Sequence, residues 1–309
     1  MERIYIIGAG AVGKVLAVAL KKEGREIVIL RGSVADGPAS QETIKVILHD
    51  GSMLQETLEI STLAQFPRLD GLVLLTNKSY GNERLAHLLK DKIGHSPITL
   101  LQNGLGIERP FLEQQFPQVY RAVLFMTSQV NSTGVISYKP VATSPVGTIS
   151  ADKDQLEAVV SLLHSPHFQF RVAPNIQEII WEKAIANSVF NSICPLLHID
   201  NGVFQREPRV MDLAKRVIAE CIAVAGEKGI VLQQQQLEDR ILQISGKSDG
   251  QFISTLQDIE KGRETEIDTL NLEFARIAKA MGKEHLISET ALLGELTLLK
   301  SDLSRATLS

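Results

Sequence analysis

Lys183, Asn187 and Asn191 follow one another at four-residue steps in the segment Trp181-Glu182-Lys183-Ala184-Ile185-Ala186-Asn187-Ser188-Val189-Phe190-Asn191. Residues four apart on a helix lie nearly above one another, so one ammonium and two carboxamides would form a single polar stripe. Most residues between them are apolar, which predicts a helix with much of its surface buried. Asparagine weakens a helix interior, and buried amides and ammonium groups are costly without partners. The stripe therefore suits a polar ligand. An ordinary amphipathic helix, its Lys and Asn in water, accounts for the same spacing.

A second group with chemical content opens the chain. Ile4-Tyr5-Ile6-Ile7 runs into Gly8-Ala9-Gly10-Ala11-Val12-Gly13, a G-x-G-x-x-G motif between an apolar strand and a helical stretch. In that context Gly8 permits the tight turn, Gly10 lets the backbone approach a pyrophosphate, and Gly13 allows close helix–strand packing. The helix N-terminus then faces the anion. The next strand ends in Arg31-Gly32-Ser33, where an NAD site carries Asp or Glu for the ribose 2′-hydroxyl. A guanidinium there suits a 2′-phosphate and favours NADP(H) over NAD. A Gly-rich turn without a ligand and an arginine in solvent are the plain alternatives.

Two loops at strand ends, Thr76-Asn77-Lys78-Ser79-Tyr80 and Gln102-Asn103-Gly104-Leu105-Gly106, offer a cation and amides where open α/β sheets bind ligands. Late in the chain, residues 254–268 form a charged run interrupted by Gly262, in which Thr265 could cap the following helix and Glu266 would sit at its start. The seven histidines form no metal-ligand motif, and neither a nucleophile elbow nor a P-loop is present. No metal is expected.

The elements that must position these groups fall into two kinds. Strands are expected at 4–7, 26–30, 44–48, 54–60, 72–75, 98–101 and 122–126, with helices at 12–22, 82–92 and 108–115. That alternation implies a parallel sheet with helices on both faces. Asp50-Gly51 marks a hairpin, and strands at 135–138, 146–150 and 168–172 would extend the sheet antiparallel. After Pro174 a helical period takes over, with helices at 176–197, 209–227, 235–242, 251–259, 266–281 and 288–299. The expectation is an α/β Rossmann-type domain over 1–174 and an all-α domain over 175–309. The 309 residues, 44% hydrophobic with a net charge of -4, fit two domains and give no sign of nucleic-acid or anionic-membrane binding. Two cysteines, a first strand beginning at about Arg3 and no apolar run of membrane-spanning length predict a cytoplasmic protein.

In this order, the pieces resemble the ketopantoate reductases (2-dehydropantoate 2-reductases), over nearly the whole chain. The resemblance rests on Gly8 to Gly13, Arg31, Asn77-Lys78-Ser79-Tyr80, Gln102-Asn103-Gly104-Leu105-Gly106, the Lys–Asn–Asn helix, Asn201-Gly202 and Gln257-Asp258 with Gly262-Arg263-Glu264-Thr265-Glu266-Ile267-Asp268. The last run and the Lys–Asn–Asn helix are its specific parts. The fold it implies is a Rossmann domain followed by a helical domain like the C-terminal domain of 6-phosphogluconate dehydrogenase. It implies Lys183 as proton donor to the carbonyl being reduced and Glu266 near cofactor and reacting centre. Asn187, Asn191, Asn201 and Ser254 would hold the substrate's carboxylate and hydroxyl. Lys78 and Asn103 would contact cofactor, with Asn103 also bordering substrate.

The expected reaction is hydride transfer from NADPH to the C2 carbonyl of ketopantoate, in pantothenate and coenzyme A synthesis. The expected partners are a small 2-oxo acid and, as a possibility, a second copy of the chain. Departures bear on substrate identity: Leu124-Phe125-Met126-Thr127-Ser128-Gln129 stands where the family usually has a Gly-rich strand and loop, and Asn271-Leu272 where it often has Asn-Gly. A reductase of another oxo or hydroxy acid, an opine-type dehydrogenase and a non-catalytic NADP(H) sensor are the alternatives.

Overall fold

The structure, a computed structural model, describes residues 3–32, 36–151 and 153–308. The chain forms two compact units. The first runs to Gln102 and resumes from Ile107 to Ile176; the second takes Asn103–Gly106 and the chain from Gln177 onward.

The first unit is built on β1 (Arg3–Ile7), β2 (Ile27–Arg31), β3 (Ser40–Ile47), β4 (Met53–Thr62), β5 (Gly71–Leu75), β6 (Ile98–Leu100), β7 (Val119–Ala122), β8 (Met126–Val130), β9 (Ile136–Pro140), β10 (Ser144–Ser150) and β11 (Phe170–Val172). They lie in the order β11-β10-β7-β6-β5-β1-β2-β4-β3-β9-β8. The centre is parallel, with β1 flanked by β2 and β5. Strand order reverses at β1, so the ends of β1 and β5 form the switch point where such sheets take ligands. Alternation along β1 divides the core. Ile4 and Ile6 pack on the face that carries α1 (Ala11–Lys22), and Tyr5 and Ile7 on the face that carries α2 (Asn82–Ile93). Two shorter helices, α3 (Arg109–Glu113) and α4 (Leu156–Leu163), complete this unit.

Two expectations about the sheet need correction, and one helix was missed. The apolar run 122–126 is not one strand: β7 ends at Ala122 and β8 begins at Met126 on the opposite edge of the sheet. The late strands extend both edges and mix directions: β10 is antiparallel to β7, β11 parallel to β10, and β9 parallel to β3. Helix α4 was not anticipated, because β-branched Val159 and Val160 dilute its helical signal. The Asp50-Gly51 hairpin is present, with Gly51 at φ +84° and the Ser52 amide donating to Asp50 Oδ1 over 2.9 Å.

The second unit is helical: α5 (Ile176–Leu197), α6 (Val203–Arg206), α7 (Pro208–Glu227), α8 (Gln234–Lys247), α9 (Ser254–Glu260), α10 (Asn271–Ala280) and α11 (Ser288–Leu308). Trp181 of α5 meets Phe274 of α10 edge-on at 5.4 Å, and Phe190 meets Phe204 at 4.7 Å. The helix expected over 266–281 begins only at Asn271, after a single 3₁₀ turn over Ile267–Thr269. Thr265 does not cap it; its buried hydroxyl has no partner among the described residues. No helix among the described residues is long and apolar enough to cross a membrane.

Candidate active site

The turn after β1 is held by what its glycines allow. Gly8 has φ +125°, and a Cβ there would lie 2.5 Å from the Asn77 amide nitrogen. A Cβ on Gly13 would come within 2.1 Å of the Gly8 carbonyl oxygen. Both positions therefore exclude side chains, and helix α1 packs directly on the strand. Gly10 faces open space, so the backbone of Ala9, Gly10 and Ala11 is approachable from outside. Gly10 is the N-cap of α1, no side chain caps it, and the first turn carries no acid. The peptide N–H groups of Val12 and Gly13 thus belong to an uncapped helix start, which favours an anion.

The loop after β5 is stitched to this turn. Thr76 and Asn77 both donate backbone N–H to the Ile7 carbonyl, at 2.8 and 3.1 Å. The Thr76 hydroxyl donates to the Gly8 carbonyl oxygen at 3.0 Å. Lys78 is half-buried beyond it. A reciprocal amide pair sits beneath: Asn82 Nδ2 donates to Gln102 Oε1 at 2.9 Å, and Gln102 Nε2 returns to Asn82 Oδ1 at 2.7 Å. Asn82 also donates to the Ile107 carbonyl and Gln102 to the Asn77 carbonyl, each at 2.9 Å. Asn77 Oδ1 is buried with no hydrogen-bond partner among the described residues.

Arg31 ends β2 half-buried. Its guanidinium donates to Ser40 Oγ at 3.0 Å and to the Pro38 carbonyl at 3.4 Å, and no carboxylate pairs with it among the described residues. Ser33, beside it in sequence, lies outside the described residues.

In the second unit, the loop that carries Asn103 lies against the turn that follows Glu266. Leu105 N–H donates to the Thr269 carbonyl at 2.8 Å. Gly104 has φ +104°, and a Cβ there would lie 2.4 Å from Thr269 Oγ1. Thr269 in turn donates its N–H and its hydroxyl to the Glu266 carbonyl, both at 3.1 Å. Asn103 and Glu266, 163 residues apart in number, are thereby tied into one local assembly.

The Lys–Asn–Asn stripe lies on α5. Lys183 and Asn187 are half-buried and Asn191 is buried, so none of the three is a freely solvated side chain. Asn191 is committed on two sides: Nδ2 donates to the Asn187 carbonyl at 2.9 Å, and Oδ1 accepts from Thr255 at 2.7 Å and from Ser254 at 3.4 Å. Asn191 and Ser254 are thus neighbours, although Ser254 itself is exposed. Asn201 lies on the turn that follows α5. Its N–H donates to the Gln251 carbonyl and its carbonyl accepts from Ser245 Oγ, at 2.9 and 2.7 Å. Its buried Oδ1 has no partner among the described residues.

The turn carrying Asn201 is fastened by Asp200, which accepts from the Gly202 N–H at 2.7 Å, the Gly250 N–H at 3.1 Å and Arg206 Nη2 at 2.6 Å. The Arg206 guanidinium, helped by those amides, pulls the Asp200 carboxyl down to about 2. Nearby, the Gly-Arg of the late motif is architectural: Gly262 takes φ +60° and Arg263 clamps buried Asp258, with Nε donating at 2.9 Å. Both cysteines are buried, and burial pushes the Cys194 thiol up to about 12.

Residues 4–149 match the ketopantoate reductase PanE/ApbA family, and residues 175–291 match its PanE/ApbA C-terminal domain. The chain belongs to the ketopantoate reductase family. The family is one of oxidoreductases, and the Rossmann-type first half and helical second half have its architecture. A 2-dehydropantoate 2-reductase of Pyrococcus abyssi is 27% identical over 91% of this chain and 93% of its own. Among solved structures, a ternary complex of D-mandelate dehydrogenase with NADH and anilino(oxo)acetate has a TM-score of 0.84 at 21% identity, covering 98% of this chain and 99% of that one. A dimeric ketopantoate reductase from Staphylococcus aureus has a TM-score of 0.80 at 18% identity over the same shares.

Within this family framework, five residues matter that sequence reasoning did not assign: Thr76, Asn82, Gln102, Thr255 and Thr269. Gln102 stood in a motif but without a role. Each of the five has a partner distant in sequence, so no local pattern announces its role. Gly104 did carry a signal, because an Asn-Gly-x-Gly turn calls for left-handed backbone.

Proposed function

We propose that this protein reduces ketopantoate to pantoate with NADPH, a step of pantothenate and coenzyme A synthesis. The observation that carries the proposal is the stripe of half-buried Lys183 and Asn187 and buried Asn191 on a largely apolar helix, in a chain whose two halves both match the family. The residues present fit a dinucleotide. Gly8, Ala9, Gly10, Ala11, Val12 and Gly13 offer an uncapped helix start with an open approach at Gly10. Arg31, with no carboxylate partner among the described residues, suits the 2′-phosphate that distinguishes NADP(H). Lys78 and Asn103 supply further cofactor contacts.

A bound reduced nicotinamide supplies the hydride for the C2 carbonyl carbon. Lys183 Nζ holds the proton that the carbonyl oxygen takes up, and its charge stabilises the oxygen as negative charge builds there. Glu266 acts beside cofactor and reacting centre. Asn187 and Ser254 bind the substrate's carboxylate and hydroxyl. Asn191 joins them only as a donor, because its Oδ1 is already occupied by Thr255. The unpartnered Asn201 Oδ1 is an acceptor and receives a hydrogen bond from the substrate hydroxyl. In this reading residues 1–174 are the cofactor domain, residues 175–309 the substrate domain, and the protein works in the cytoplasm as a homodimer.

The test is NADPH oxidation with and without ketopantoate, using wild type and Lys183→Ala. Ketopantoate-dependent oxidation that falls at least ~100-fold in the variant, with NADPH affinity retained, supports the reading. Turnover unchanged by the substitution removes Lys183 from the chemistry. Wild-type turnover confined to other 2-oxo acids moves the substrate, a reading favoured by buried Leu124 where the family usually has a Gly-rich segment.

A further inference from the structure

Asn77, the second residue after β5, is wedged among the ends of three central strands. Its backbone N–H donates to the Ile7 carbonyl at 3.1 Å, and a Cβ on Gly8 would lie 2.5 Å from that same nitrogen. On the other side, a Cβ on Gly32 would lie 3.3 Å from Asn77 Cβ and 3.9 Å from its Cγ. The side chain thus sits between the glycine turn after β1 and the residue that follows Arg31 at the end of β2. Its orientation is fixed, because Nδ2 donates to the Lys78 carbonyl at 2.9 Å and lies 3.5 Å from Asn82 Oδ1. Turning the amide over would set its oxygen against both of those oxygens. Oδ1 is therefore the atom that stays buried with no hydrogen-bond partner among the described residues. Such an acceptor costs stability until something donates to it.

We propose that Asn77 Oδ1 accepts a hydrogen bond from the 3′-hydroxyl of the adenosine ribose of NADP(H), an inference that rests on the NADP(H) reading above. In a Rossmann-type sheet the pyrophosphate takes the glycine turn after the first strand, and the adenosine ribose takes the end of the second. Asn77 borders a residue of each position, Gly8 and Gly32, so the cofactor atoms nearest its carboxamide are those between pyrophosphate and ribose. What Oδ1 needs from them is a donor. The pyrophosphate offers only acceptors, and so does the dianionic 2′-phosphate that suits Arg31. The adenine amino group lies on the far side of the base from the sugar. The 3′-hydroxyl is the donor that remains.

Position 32 points the same way. Gly32 does not take left-handed backbone, so its turn does not call for glycine. A side chain there would instead crowd the Asn77 carboxamide and approach Ile7 Cγ2 at 3.5 Å. Glycine at this position keeps open the side of the carboxamide that faces the end of β2. The role also differs from that of Arg31. NADH carries the same 3′-hydroxyl, so Asn77 adds affinity for both dinucleotides by a common factor. The choice between them stays with the guanidinium.

Calorimetric titration of the full chain with adenosine 2′,5′-bisphosphate and its 3′-deoxy analogue tests the contact, since the two probes differ only in that hydroxyl. Wild type is expected to bind the hydroxylated probe at least ~10-fold more tightly, because the analogue leaves the buried acceptor unsatisfied. Asn77→Leu, similar in size but without an acceptor, is expected to bind both probes alike, at the wild-type affinity for the deoxy compound. In that variant the dissociation constants of NADPH and NADH should rise together, each by at least ~10-fold. Wild type that binds the two probes within about threefold of each other overturns the proposal, and this arm needs no variant to fold. A variant with unchanged circular dichroism that keeps the wild-type discrimination also overturns it, because another group then receives the hydroxyl. Failure of this contact alone leaves NADPH binding and its dependence on Arg31 intact. A chain that binds neither NADPH nor the bisphosphate overturns the dinucleotide reading, and the Asn77 contact with it.

Discussion

Substituting Gly104 by alanine should damage catalysis far more than its single methyl group suggests. The added Cβ would lie 2.4 Å from Thr269 Oγ1 and 2.7 Å from the Thr269 carbonyl oxygen. Ordinary carbon contacts begin near 3.5 Å, so the loop must retreat by about 1 Å. The Thr269 hydroxyl could rotate away; its carbonyl cannot, because it accepts the Leu105 N–H at 2.8 Å. A displacement of about 1 Å in a positioning loop costs on the order of 100-fold in rate, equivalent to roughly 2.7 kcal/mol of barrier. Holding alanine at φ +104° adds strain of about 1–3 kcal/mol to folding. The expected result is a kcat/KM for ketopantoate reduced about 100-fold and a lower melting temperature. Thr269→Ala in the same chain removes only the hydroxyl clash and should recover less than half of the lost free energy. A Gly104→Ala enzyme within threefold of wild type, with unchanged melting, would refute the argument that residues 103–106 are seated on Thr269.

Further outcomes follow from other contacts. Asn82→Ala strands Gln102 Oε1 and the Ile107 carbonyl in a buried setting, and at about 1–3 kcal/mol for each unsatisfied buried group it should cost roughly 2–6 kcal/mol by urea unfolding. A double-mutant cycle with Gln102→Ala should give a coupling of at least ~1 kcal/mol, and additive effects would dissolve the pair. Arg31→Ala should raise KM for NADPH at least ~10-fold and barely alter that for NADH; equal effects on both would dismiss the 2′-phosphate assignment. Asp200, depressed to about 2 from an ordinary 3.8, contributes stability that is fully present above about pH 4 and lost as pH falls toward 2. Asp200→Asn should therefore flatten the fall in melting temperature between pH 4 and 2, and an unaltered slope would show that Arg206 gains nothing from that carboxylate.

Much of the architecture is legible in the sequence because it is local. The strand–glycine–helix opening and the 3.6-residue period of α5 are patterns of neighbours, and α5 begins and ends where its periodicity does. Legibility failed where distant contacts decide. The apolar stretch 122–126 breaks because its two ends join strands in opposite halves of the sheet. Helix α8 continues past Leu242 to Lys247 because Ser245 is buried and donates to the Asn201 carbonyl. Helix α11 continues past Leu299 to Leu308 with Ser301 buried beneath it. Among the site residues, the four-residue spacing announced the stripe, but not that Thr255 would occupy Asn191. Nor does anything local pair Gly104 with Thr269. A glycine's positive φ can be guessed from its turn; the side chain it makes room for cannot.

The allocation of residues 103–106 to the helical unit gives the chain a topology of exchange. The backbone passes from one unit to the other after Gln102, returns after Gly106, and passes again after Ile176. The halves are therefore not cassettes separable at one joint. A chimera that grafts another family member's helical half after residue 176 would pair a foreign turn with this chain's Asn103-Gly104-Leu105-Gly106. Recombination that respects the fold has three crossover points, and the four-residue loop travels with the half it does not adjoin in sequence.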